Sequence, residues 1–252
     1  MAVTSTKNNG VYRVYEFGDT PFVLICDHAS NHIPDELHNL GLPDDILRTH
    51  IAWDIGAQSL AQAIARDLGA TLFECQISRL VVDVNRAETA SDVIPSSSDQ
   101  IPIPGNQSLN EAEITKRLES FHRPYHHGLD TILSSHPARE DLFIVSIHSF
   151  TKRMTGAQND RPWPIGLLWH HDEASARAAI EILSETIADP IGDNEPYDAR
   201  EFNYTIDTHV APKNWRHLTF EVRQDWLATP ELVKTATTML VDAIRAASKN
   251  RV

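Results

Sequence analysis

Hydrophobic and polar positions along the chain follow two periods. "VYRVYEF" (11–17) alternates with period two, as a strand with one buried face does, and "PFVLIC" (21–26) is an unbroken apolar run suited to a strand buried on both faces. Residues 54–69 switch to helical spacing, with Leu60, Ile64 and Leu68 four apart, alanines between them and Gly69 placed as a C-cap. "ATLFEC" (70–75) and "RLVVDV" (79–84) predict two further strands. Residues 87–107 carry Pro, Ser and Gly without a period, so they predict a long loop serving as a rim or lid. Ser108 and Glu111 then stand in capping-box positions, and Ile114, Leu118, Phe121, Tyr125, Leu129 and Leu133 predict one long helix to about residue 134. "DLFIVSIHSF" (141–150), "PIGLLW" (164–169) and "HLTFEVR" (217–223) predict strands, and residues 172–188 and 229–247 predict helices.

Strands alternating with helices predict an α/β fold, a three-layer sandwich with a mostly parallel, mixed central sheet and helices on both faces. No linker, composition break or internal repeat divides the sequence, so residues 1–252 are expected to form a single domain. Ligands of such sheets bind beyond the carboxyl ends of the strands. His28, Asn85, Arg86, His148 and Glu221 all fall at or just after predicted strand ends, although they are far apart in sequence.

Charge narrows the choice of partner. Lys and Arg total 22 against 35 Asp and Glu, a formal net charge of −13, which argues against nucleic acid and against anionic membrane surfaces. An anionic substrate would be repelled by that background, so its site must contain a local arginine. The two cysteines, Cys26 and Cys75, lie inside strand-like runs and are expected to be buried free thiols, consistent with the cytoplasm. The polar N-terminus has no apolar signal core, and no stretch is apolar enough to span a bilayer. GxGxxG, Walker A, GxSxG and CxxC motifs are absent, which removes the commonest nucleotide, serine-hydrolase and thiol-redox signals.

The residues that remain point to metal chemistry. A catalytic zinc takes three protein ligands of imidazole and carboxylate type and keeps one position open. His28 and His148 have the right chemistry, and Asp54 in "HIAWDIGA" is the expected third ligand. An ordinary helix N-cap is the competing role for Asp54, and Asp27 and His32 are alternative ligands. Glu221 stands where a carboxylate could take a proton from an attacking water, the competing role being an ion pair with Arg223. Asn85 and Arg86, closing "VVDVNR", offer an amide and a guanidinium fork for a substrate carboxylate, and Arg153 or Arg161 could supply a second positive contact. His122 and His126, four apart on the long helix, are expected to be an exposed or half-buried pair. The adjacent His170 and His171, on a strand, could not aim both rings at one point.

At these residues the chain resembles the N-formylglutamate amidohydrolase family, the deformylases of histidine breakdown and their relatives. The resemblance runs through "DHASNHIP", "AWD", "SRLVVDVNR", "SIHSF" and "LTFEVRQD". It implies an architecture like that of zinc carboxypeptidases and aspartoacylases, zinc held by His28 and His148, Glu221 as base, and Asn85 with Arg86 on the substrate carboxylate. Carboxypeptidase-like relatives place a glutamate three residues after the first histidine, where this chain has Asn31, so Asp54 is the carboxylate expected to replace it. The implied function is a zinc-dependent amidohydrolase of amino-acid catabolism acting on a small anionic N-acyl amino acid, with N-formyl-L-glutamate giving formate and L-glutamate. The competing expectations are a zinc carboxypeptidase or amidase acting on a peptide or cell-wall fragment, and a metal- or ligand-binding module without turnover.

Overall fold

The structure, a computed structural model, describes residues 5–249. Strands β1 (Ser5–Asn8), β2 (Tyr12–Glu16), β3 (Phe22–Cys26) and β4 (Thr71–Cys75) build one half of the central sheet, with α1 (Asp44–Leu47) and α2 (Ala57–Leu68) in the connection between β3 and β4. Residues 87–107 hold a small hairpin, β5 (Ser97–Ser98) and β6 (Ile101–Pro102). Next come α3 (Glu111–Arg117), α4 (Arg123–Ser135) and β7 (Phe143–Phe150). The chain ends with β8 (Ile165–Leu168), α5 (Glu173–Thr186), β9 (Gly192–Asp193), α6 (Tyr204–His209), β10 (Arg216–Arg223) and α7 (Pro230–Lys249).

Among the described residues the main sheet has eight strands in the order β1-β2-β4-β3-β7-β10-β8-β9. Its centre, β4-β3-β7-β10, is parallel. The flanks are mixed, because β1 and β2 pair antiparallel and β8 runs antiparallel to β10. The apolar runs are explained by burial on both faces. On β3, Leu24 and Cys26 pack with α2, α5 and α7 on one side, while Val23 and Ile25 pack with α4 and α6 on the other. The result is the three-layer α/β sandwich that the alternation of periods predicts. On α2 the stripe Leu60, Ile64 and Leu68 is buried and the helix stops at Gly69, whose φ of 64° is a left-handed conformation that costs glycine little.

Three local expectations are corrected. "RLVVDV" forms turns, not a strand: Val81 N–H donates to Ser78 and Arg86 N–H to Asp83, within a segment whose apolar side chains divide between two clusters. Burial on both sides of a loop gives the same apolar run as a buried strand. The long helix is interrupted by a π-helical turn over Leu118–His122, just before Pro124, which has no N–H to continue the helical ladder. Its capping box is formed by Asn110 and Glu113, two residues later than expected, because Ser108 is held at a φ of 55°. The polar N-terminal segment adds an edge strand, β1, which needs no apolar pattern because it extends the sheet through backbone pairing.

Cys26 and Cys75 are buried free thiols, and burial pushes Cys75 up to about 12. No helix among the described residues is long and apolar enough to cross a membrane. Replacement of the fully buried Leu60 by Ala is expected to lower unfolding free energy by about 2–5 kcal/mol in urea denaturation, the range for a leucine deleted from a packed core.

Candidate active site

A cavity of about 310 Å³ opens at the carboxyl edge of the parallel centre. Three segments bring its polar floor together. The chain leaves β3 at Asp27 and His28, and the His28 carbonyl accepts from Asp54 N–H at 3.0 Å, tying the segment before α2 to that corner. His148 on β7 and Glu221 on β10 are register partners across a parallel pair, which sets their side chains next to one another on one face.

Both imidazoles turn Nδ1 toward one oxygen. His148 Nδ1 lies 3.0 Å and His28 Nδ1 3.5 Å from Oδ2 of Asp54. Each ring's other nitrogen meets a different carboxylate: His28 Nε2 is 2.7 Å from Asp83 Oδ1, and His148 Nε2 is 3.5 Å from Asp27 Oδ2. Asp83 accepts from Arg79 at 2.7 Å and Asp27 accepts from the Tyr125 hydroxyl at 2.5 Å and from Thr205 at 3.1 Å, so both carboxylates are fixed from behind. Asp54 does not cap α2, whose N-cap is Gly56; its Oδ2 instead accepts from Ser149 N–H at 3.2 Å.

This donor set fits a divalent cation. Donors about 2.0–2.2 Å from a tetrahedral zinc stand about 3.4 Å apart, close to the separations around Asp54 Oδ2. One ligand atom from each of His28, Asp54 and His148 lies within 4.8 Å of the others, and all three residues are buried. His28 Nδ1, Asp27 Oδ2 and Glu221 Oε2 are buried without a hydrogen-bond partner. Backing each imidazole with a carboxylate fixes the tautomer that leaves Nδ1 as the donor to a metal.

The electrostatics are tightly linked. Burial opposes charge on Asp54, but the His28 and His148 rings hold its carboxyl far below the usual range. Burial likewise opposes charge on Asp83, and the Arg79 guanidinium with His28 keeps it ionised. Glu221 behaves in the opposite sense: burial, reinforced by Asp54, raises it to about 7 against the pull of His148.

The remaining sequence-derived residues are divided. Asn85 and Arg86 line the cavity. Asn85 Oδ1 accepts from Thr205 N–H at 3.0 Å, and Arg86 pairs with Asp92 at 2.9 Å and stacks 5.0 Å from the Phe202 ring centroid. Arg153 is half exposed, outside the lining, and donates to Asp160 at 2.6 Å. Asn31 donates to the Leu47 carbonyl at 2.8 Å, and His32 is exposed. Arg223 pairs with Asp225 and leaves Glu221 unengaged. Arg79, absent from the expected set, lines the cavity between Asp54 and Asp83; its position four residues before Asp83 was the available signal. The expected rim is present, since Asp92, Pro95, Ser97, Ser98 and Asp99 wall one side, and Asp99 is bonded to His50 and Thr155 across the mouth.

A family model for N-formylglutamate amidohydrolase matches residues 20–228. The chain belongs to the N-formylglutamate amidohydrolase family. It is an amidohydrolase, a hydrolase of amide bonds. Among solved structures it resembles a gene product of Agrobacterium tumefaciens at 30% identity and a TM-score of 0.88, covering 95% of each chain. It also resembles the N-formylglutamate amidohydrolase of Ralstonia eutropha JMP134, at 16% identity and a TM-score of 0.71, covering 96% of this chain and 98% of that one. No curated protein matches the chain.

Behind the site of this family member, His122 is fully buried and His126 half-buried. His126 Nδ1 lies 2.8 Å from His209 Nε2, and its ring stacks on that of His209. Burial, with His122 and His209 adding to it, pushes His126 down to about 3. The unfolded chain, with an ordinary histidine near 6.5, binds more protons below that pH, so this stability is complete above 6.5 and is lost as pH falls toward 3. His126→Gln is expected to show a shallower loss of unfolding free energy than the parent between about pH 7 and 5. Each such histidine contributes at most about 1.4 kcal/mol per pH unit, read from urea melts at each pH.

Proposed function

We propose that this amidohydrolase is metal-dependent, uses zinc, and removes the acyl group from a small anionic N-acyl amino acid, N-formyl-L-glutamate being the specific substrate. The observation that carries the reading is the convergence of two carboxylate-backed imidazoles on Asp54 Oδ2, beside a buried Glu221 with an unpartnered oxygen. His28, Asp54 and His148 would hold the ion. A divalent cation there supplies Lewis acidity, polarising an acyl carbonyl and bringing the pKa of water from about 15.7 to about 7.

Glu221 is the base. Its buried carboxylate, with one oxygen unpartnered beside the candidate ligands, takes the proton of the attacking water, and the acid so formed returns that proton to the leaving nitrogen as the C–N bond breaks. Arg86, whose Nε and Nη1 donate to Asp92 and the Asn85 carbonyl, turns its remaining N–H groups to the substrate carboxylate. Asn85, whose Oδ1 is already engaged by Thr205, offers its amide donors to the same group. Arg79, paired with Asp54 and Asp83, offsets their charge at the cavity wall, where it would otherwise add to the repulsion of an anion by a chain of net charge −13. The cavity of about 310 Å³, walled by the 87–107 segment, favours a free amino-acid derivative over a peptide lying in an open groove.

The test is formate release from N-formyl-L-glutamate by protein reconstituted with zinc, beside a panel of N-acyl glutamates and aspartates. Glu221→Gln is expected to retain bound zinc and lose about 10²–10⁴ in kcat, the usual worth of general acid–base catalysis. Asp54→Ala is expected to lose metal and activity together, so full metal content in that variant refutes Asp54 as a ligand. Arg86→Ala is expected to act mainly through KM, raising it at least about tenfold, as removal of a binding contact does.

A further inference from the structure

A second cluster of metal-type donors lies away from the cavity. His170, His171 and Asp207 each offer an atom within 4.8 Å of the other two. The two rings are 4.1 Å apart, and His171 Nε2 is 3.3 Å from Asp207 Oδ1. Adjacent residues of a strand point to opposite faces, but β8 ends at Leu168, and His170 and His171 sit in the bend that follows, where that alternation no longer holds.

Two further observations exceed an ordinary surface ion pair. Asp207 Oδ1 is buried and makes no hydrogen bond of acceptable geometry. His217, only 3% exposed, has an unpartnered Nε2 and interacts electrostatically with both His171 and Asp207. His217 precedes Glu221 by four residues on β10, about 13 Å at about 3.3 Å per residue, so the cluster is separate from the proposed catalytic centre.

We propose that His170, His171 and Asp207 form a second site for a divalent transition-metal ion, which fastens α6 to the end of β8. Two imidazoles and one carboxylate select zinc, nickel, cobalt or copper over magnesium and calcium, whose ligands are oxygens. The exposed outer side of the cluster leaves room for water to complete the coordination. Helix α6 gives the site a structural consequence: Thr205, two residues before Asp207, bonds to both Asn85 and Asp27 at the cavity. A metal at Asp207 therefore restrains the helix that holds those two residues.

The experiment is equilibrium dialysis of the chelator-stripped full chain against zinc chloride, with bound metal counted per chain. Wild type is expected to bind two equivalents. His170→Ala/His171→Ala and the near-isosteric Asp207→Asn are each expected to lose one of them, and Asp54→Ala is expected to keep the equivalent that those variants lose. The proposal is overturned if wild type binds a single equivalent that only Asp54→Ala removes, or if every equivalent survives in both His170→Ala/His171→Ala and Asp207→Asn. A single equivalent removed by the histidine and Asp207 variants but kept by Asp54→Ala supports this site and refutes the catalytic one.

Discussion

Four carboxyl groups, those of Asp27, Asp54, Asp83 and Glu221, are buried around two imidazoles at one edge of the sheet. Removing that much negative charge from water is unfavourable unless positive charge compensates it, and the Arg79 guanidinium is inserted among them, contacting Asp54 and Asp83. The arrangement makes physical sense as a cradle for a divalent ion. The same constraint explains the division of the acids into two kinds. Asp54 and Asp83 are kept ionised by the rings and the guanidinium, whereas for Glu221 burial and the neighbouring Asp54 outweigh the pull of His148, which leaves it able to exchange a proton near neutral pH.

The scaffold supports this cradle through rigid elements. Parallel register sets Glu221 beside His148, and a backbone hydrogen bond from Asp54 to His28 fixes the third donor at the mouth of the same strands. A second layer arrives from the opposite helical face: Tyr125 on α4 and Thr205 on α6 both donate to Asp27, which in turn faces His148. Side-chain positions at the site are thereby tied to helix packing on one side of the sheet.

The chain lacks the glutamate expected three residues after His28, and another carboxylate meets the two imidazoles. Asn31 is committed to the Leu47 carbonyl, and the carboxylate comes from the segment before α2 instead. On the proposed assignment, a ligand supplied 26 positions downstream of His28 in place of one three positions away would leave the donor set chemically equivalent, two imidazoles and one carboxylate.

The sequence alone determined the layer architecture, because burial on two faces forces apolar runs such as "PFVLIC" and "FIVSI", and one-sided packing forces the spacing of Leu60, Ile64 and Leu68. It also identified His28, His148, Asp54 and Glu221 as candidates, since strand ends and the absence of competing motifs left few other places for chemistry. Tertiary structure decided what pattern could not encode. A buried loop and a buried strand look alike in composition, so "RLVVDV" was legible as buried but not as turns. The role of Arg79 depends on two aspartates meeting it from different segments, and the position of Arg153 outside the cavity lining goes with its bond to Asp160. The direction in which His170 and His171 point depends on where β8 stops. In each case the deciding term is a contact between residues distant along the chain, and a one-dimensional period carries no information about such contacts.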